Sequence, residues 1–152
     1  MTRSTEAPPR TTAFATLRFS GDRLDPDRIS AILGVQPTKA YQKGERYLAG
    51  PRAGYVTGRT GVWVLASDGA IDSAELDPHL EYLVAPIFAG PNREERLKQL
   101  HDLMSRDGVK ADVSCFWRGR PGTRPPSVPA TVISRLNQLP AEIETDFEVD
   151  EA

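Results

Sequence analysis

The sequence predicts an α+β fold, a ferredoxin-like two-layer sandwich made of two βαβ halves with a helical insert between them. Three observations point there. Segments of two-residue alternation and of helical periodicity follow one another as strand, helix, strand, helices, strand, helix, strand. The two ends share a layout: "LRFSG", a loop and "DRISAILGV" match "CFWRG", a loop and "ATVISRLNQL". The 152 residues suit one domain around one core.

Residues 1–12 are polar and rich in proline and threonine, which reads as a loose tail before a single domain over 13–150. In "AFATLRFSG", Ala15, Leu17 and Phe19 alternate with Thr16 and Arg18, the pattern of a strand. "LDPDRISAILGV" is a short helix. Asp25 caps its free N–H groups, Pro26 fits the first turn, Ile29, Ile32 and Leu33 share a face, and Gly34 takes the left-handed stop. Residues 36–61 are rich in glycine and lack core pattern, so a long loop is expected, with room for one short strand around Glu45 to Leu48. "GVWVLAS" is a strand, and its unbroken apolar run suggests burial on both faces or a helix over one. The helical insert starts at Asp77-Pro78, with a stripe of Leu80, Leu83, Val84 and Ile87 and a kink or end at Pro86. It continues over about Arg93 to Arg106 with Leu97, Leu100 and Met104, and Gly108 closes it. "KADVSCFWRG" is a strand and "RPGTRPPSV" a loop. "PATVISRLNQLP" is a helix with Val132, Ile133 and Leu136 inward. "AEIETDFEV" is the last strand, with Ile143, Thr145, Phe147 and Val149 on one face and Glu142, Glu144, Asp146 and Glu148 on the other.

Hydrophobic residues at 39% and charged ones at 26% describe an ordinary folded protein, and a net charge of −2 implies no global pull toward nucleic acid or anionic membrane. The single Cys115 cannot form an internal disulfide and fits a reducing cytosol. The start has no apolar run of a secretory signal, and no stretch nears the about 20 apolar residues of a membrane helix. The expected compartment is therefore the cytoplasm.

At this point a resemblance enters. "LRFSGDRLDPDRISAILGVQPTKAYQKGE", "TGVWVLAS", "VSCFWRG", a final helix and an acidic strand resemble the bacterial family catalogued as domain of unknown function 4279 (DUF4279), over roughly residues 14–149. Pro37-Thr38, Lys43-Gly44, Gly61-Val62-Trp63 and the run from Ser114 to Trp117 carry it. The resemblance implies no activity and carries over no catalytic residue. It implies a small bacterial protein of a kind that includes immunity and partner-binding proteins.

"VSCFWRG" concentrates cysteine, tryptophan and arginine, the mark of an active site or of a core strand. Alternation places Val113, Cys115 and Trp117 on one face, toward the core, where a thiol behaves as a small hydrophobe. Arg18 and Arg118 fall on polar faces of the first and third strands. They are expected to pair with carboxylates of the last strand, which in a ferredoxin-like sheet flanks the first. Alternatively, Arg18, Trp63 or Leu65, Phe116 and Arg118 form an open binding face. An RNA-binding sheet of this architecture wants more aromatics and a basic face, and the acidic last strand argues against nucleic acid. That acidic end reads as an edge strand with one polar face, or as a charge mimic for a basic partner.

The 36–61 loop holds the local basic region. Lys39, Lys43, Arg46, Arg52 and Arg59 oppose only Glu45, with Tyr41, Tyr47 and Tyr55 interleaved. Either the loop is a solvated surface, or it is a recognition loop, since tyrosine and arginine are enriched where binding energy concentrates. No C-x-x-C, H-x-H, H-E-x-x-H or G-x-S-x-G is present, and "GPRAGYVTGRTG" lacks the lysine and following helix of a P-loop. Neither metal nor cofactor nor catalytic residue is expected. The leading expectation is a cytosolic, non-enzymatic protein-binding domain with an unidentified protein partner. Its candidate residues are Lys39, Tyr41, Lys43, Arg46, Tyr47, Arg59, Phe116 and Arg118. The alternative is a small-molecule binder or enzyme with a cleft between the loop and the sheet, anchored by Arg59, Arg118 or His79. Oligomeric state is left open.

Overall fold

A computed structural model of the chain describes residues 11–50, 52 and 54–152. The tail expected over 1–12 falls mostly outside the described residues, and Thr12 already opens the first strand. The elements run β1 (Thr12–Gly21), α1 (Pro26–Leu33), β2 (Lys39–Tyr41), β3 (Arg46–Gly50), β4 (Gly54–Thr57), β5 (Gly61–Ala66), α2 (Leu76–Phe88), α3 (Arg93–Asp107), β6 (Lys110–Gly119), α4 (Ala130–Gln138) and β7 (Ala141–Val149).

The local signals act as their chemistry dictates. Asp25 accepts from the Asp27 N–H, Pro26 sits in the first turn of α1, and Gly34 ends it at φ 70°. Pro86 lies two residues before the end of α2, so its missing N–H costs one bond near the end of the helix, which runs on to Phe88. Alternation in β1, β5 and β6 is strict. Ala13, Ala15, Leu17, Phe19, Trp63, Leu65, Ala111, Val113, Cys115 and Trp117 are buried on one face. All four helices pack there: Ile29 and Leu33, Leu80, Leu83, Val84 and Ile87, Leu100 and Leu103, and Val132 and Leu136 join the same core cluster. Ile133 does not; it is 40% exposed, and Leu139 fills the inward stripe with Val132 and Leu136 at helical spacing. The fold is thus α+β, with one helical layer on one sheet.

The strand order is β2-β5-β1-β6-β7, and it corrects the ferredoxin-like expectation. There the first and third long strands would be parallel neighbours, with the last flanking the first. Here β1 is antiparallel to both β5 and β6, and β7 flanks β6 in parallel. β6-α4-β7 is a βαβ unit of adjacent strands, and β1-α1-β2 is a split one, since β2 and β1, both antiparallel to β5, run parallel with β5 between them. The eight residues of α1 rise about 12 Å, whereas the ten of β1 span about 33 Å. The helix therefore cannot return the chain to the start of β1, and β5 begins where β1 stops, with Gly61 opposite Gly21. Between β6 and β7 the irregular segment 120–129 precedes α4, and together they make the return.

The short strand expected around Glu45 to Leu48 is β3, but the rest of the 36–61 stretch is less of a loop than expected. β2 joins the edge of the sheet beside β5, and β3 and β4 form a separate two-stranded hairpin.

Candidate functional site

The face of the sheet away from the helices is open, and the register maps it. Lys39, Val64, Arg18, Asp112 and Glu142 form one row, with Tyr41, Val62, Ser20 and Lys110 beside it. Further along lie Ala66, Thr16, Ser114 and Glu144, then Phe14, Phe116 and Asp146, then Thr12, Arg118 and Glu148. The face is basic and aromatic at its β2 edge and acidic at its β7 edge.

The hairpin is fastened to the β2 edge. Glu45 accepts from the Gln42 N–H at 2.7 Å, and Gly44 and Gly58 exchange bonds with Gly58 O and Glu45 O at 2.9 and 2.8 Å. Tyr47 stacks on Tyr41 with centroids 4.0 Å apart and rings inclined by 21°. Burial, and then the neighbouring Tyr47 hydroxyl, hold the Tyr41 phenol above its usual range. The Lys39 ammonium lies 4.4 Å from the Tyr47 centroid, close enough for cation–π attraction. Lys43 pairs with Asp22 at 3.1 Å. A hydrogen bond with Thr60, and then Lys43, keep the Asp22 carboxyl below its usual range. Four of the expected binding residues thus hold the hairpin in place.

What the hairpin presents is its other face. The register sets Arg46 opposite Thr57 and Leu48 opposite Tyr55, while Tyr47 and Val56 turn inward. Leu48 is 56% and Tyr55 64% exposed, and the Arg46 guanidinium lies 5.3 Å from the Tyr55 centroid. Arg59 is exposed in the turn leading to β5. Tyr55 reads in the sequence only as one of three interleaved tyrosines, and Leu48 only as a strand end. The usable signal was alternation in "RYL" and "YVT", with glycine and proline between them.

Phe116 and Arg118 are not brought to the hairpin. Phe116 stacks on Phe14 at 4.8 Å, and Arg118 donates to Asp150 at 2.6 Å. From Tyr41 to Phe116 is three strands across, about 14 Å, and six residues along, about 20 Å. Charge pairing of the arginines holds, with other partners than expected. Arg18 bonds Asp112 on β6 through Nε and Nη2, at 3.1 and 2.9 Å, because β6 rather than β7 is its neighbour.

His79 cannot anchor a ligand. It is 1% exposed, Nε2 meets the Ser73 carbonyl at 2.8 Å and Nδ1 meets Ser67 Oγ at 2.7 Å. A carbonyl only accepts, so Nε2 carries the proton and Nδ1 accepts from the Ser67 hydroxyl. Ser67 Oγ in turn accepts from the Ala15 N–H at 2.8 Å. Cys115 is 2% exposed, and burial pushes its thiol up to about 11. Among the described residues no group of three or more His, Cys, Asp or Glu could hold a metal ion, and no helix is long and apolar enough to cross a membrane.

A family model described as a domain of unknown function (DUF4279) matches residues 10–150. The chain belongs to this family. No curated protein and no solved structure matches it. The DUF4279 match spans the whole helical layer, all five strands of the sheet and the hairpin, so hairpin and open face are parts of the DUF4279 unit.

Proposed function

We propose that this DUF4279 chain is a non-enzymatic protein-binding domain of the cytosol, with an adaptor or immunity role as its most concrete form, and that the β3–β4 hairpin is its recognition element. The observation that carries this reading is the outward pair Leu48 and Tyr55, both more than half exposed, with Arg46 over the tyrosine ring. A lone exposed leucine needs no explanation, but an apolar pair beside an arginine on a fastened hairpin has the composition of a binding hot spot. The fastening matters too, because an element held rigid before binding loses less entropy on contact. The Tyr41–Tyr47 stack weighs against a small-molecule cleft between hairpin and sheet, since the rings fill that space.

The test is capture of partners from a cell lysate on the wild-type chain and on an Arg46→Glu/Tyr55→Ala variant of equal melting temperature. A stoichiometric protein held by the wild type and lost by the variant is expected. A protein retained equally by both removes the hairpin from the reading, and a small molecule as sole ligand overturns it.

A further inference from the structure

The sheet has two outer edges, and they differ. β2 offers three residues and is flanked by the hairpin through Tyr47. β7 offers nine residues, and among the described residues no strand pairs its outer side. An unpaired edge of that length presents a row of free N–H and C=O groups, which proteins normally blunt, cover or use.

Charge and shape narrow the occupant. Glu142, Glu144, Asp146 and Glu148 are exposed and share the open face. Arg118, the nearest guanidinium in the register, is already engaged by Asp150. A second copy does not fit. Two-fold pairing of β7 with itself keeps the open faces on the same side, so carboxylates must oppose carboxylates: residue 142 against 148 and 144 against 146. Like charges directly opposite are destabilising. A basic strand has the complementary pattern. Beside β7 on the open face is a shallow depression of about 340 Å³, lined by Phe14, Ser114, Phe116, Glu144, Thr145 and Asp146. Its stacked aromatic floor and carboxylate rim suit the stem and charged head of a lysine or arginine. On the helix side, half-buried Ile143 and Phe147 would neighbour apolar residues of the added strand.

We propose that the outer edge of β7 is a strand-addition site for an extended partner segment that alternates basic and apolar residues. Backbone bonds to β7 hold the segment, and its basic side chains lie over Phe116 between the carboxylates. This site is separate from the hairpin and does not depend on it.

The probe is a fluorescein-labelled nine-residue peptide of alternating lysine and valine, titrated by anisotropy against the full chain. Saturable binding is expected, with increased hydrogen-exchange protection in β7. N-methylation of the peptide at one of the two alternate sets of backbone nitrogens should abolish binding. Glu144→Lys/Asp146→Lys should weaken it at least about tenfold, and the milder Glu144→Gln/Asp146→Asn should fall between. The hairpin variant Arg46→Glu/Tyr55→Ala should bind as the wild type does, which separates this site from the hairpin reading. No binding, equal binding of both N-methylated peptides, unprotected β7 amides, or a chain that dimerises through β7 would each overturn the proposal.

Discussion

At the scale of single residues, Cys115 shows how burial decides chemistry. Its side chain points from β6 into the helical layer between Val113 and Trp117. Losing water disfavours the thiolate, which is the reactive form. In the native chain at pH 8, iodoacetamide should therefore leave Cys115 unmodified over times that fully alkylate it in urea, as mass spectrometry would record. The same shift couples to stability. The folded thiol holds its proton up to about 11, while an unfolded one releases it near an ordinary thiol value of about 8.5. The folded state thus binds more protons between those values, and stability falls as pH rises through that window. Cys115→Ala should remove that part of the pH dependence in urea titrations; identical slopes in both proteins would show that the thiol titrates alike in the folded and unfolded states. The inward direction of Cys115 was legible, because alternation across "VSCFWRG" assigns faces by itself. What the sequence did not reveal is that Gly119, on the same face, must lack a side chain, since a Cβ there would overlap the Trp117 ring and the Thr123 hydroxyl.

Among the elements, the junction of α2 and α3 depends on Arg96. The last turn of α2 contains no basic residue, so its free carbonyls need a donor from elsewhere. Arg96, in the first turn of α3, donates from Nε to Ile87 O at 3.0 Å, from Nη1 to Pro91 O at 2.6 Å and from Nη2 to Ala89 O at 2.5 Å. Arg96→Ala should destabilise the chain by about 2 kcal/mol, read from the shift of the urea midpoint. Arg96→Lys should recover less than half of the loss, because an ammonium lacks the planar fork. A fully stable lysine variant would show that charge alone is enough. α1 was readable from Asp25 and Gly34 and the end of α3 from Gly108, whereas α2 starts at Leu76 rather than at Asp77-Pro78 and has no side-chain cap, and Ile133 lies outside the inward stripe of α4. The hairpin was not readable. Its strands hold five and four residues, and a two-stranded hairpin is marginal alone. Its order rests on long-range contacts, the Tyr41–Tyr47 stack and the Lys43–Asp22 pair among them, and the stack turns the Tyr47 face inward.

Across the whole molecule, the Ser67–His79 network joins parts that the chain order keeps distant. Ser67 Oγ takes the Ala15 N–H from β1, 52 residues away, and its hydroxyl gives to His79 on α2. Both side chains are buried, so neither can turn to water when a partner is removed. Ser67→Ala leaves the Ala15 N–H and His79 Nδ1 unpaired and should cost about 1–3 kcal/mol, measured by urea denaturation. A loss under about 0.5 kcal/mol, the scale of an ordinary surface change, would mean that water replaces the hydroxyl.

By itself the sequence determined the long strands and the helices, most of their inward faces, the inward cysteine and the acidic last strand, and its motifs carried the DUF4279 resemblance. Apart from the resemblance, these follow from periods of two and 3.6 residues and from caps within a few positions, all of them local. Only the tertiary structure decided that β7 flanks β6, that β1 and β5 run antiparallel, that Tyr41 and Tyr47 hold the hairpin, and that Leu48 and Tyr55 face outward. Strand order depends on where each connection delivers the chain. The short α1 and the long irregular return before α4 act over tens of residues, where no local period reaches.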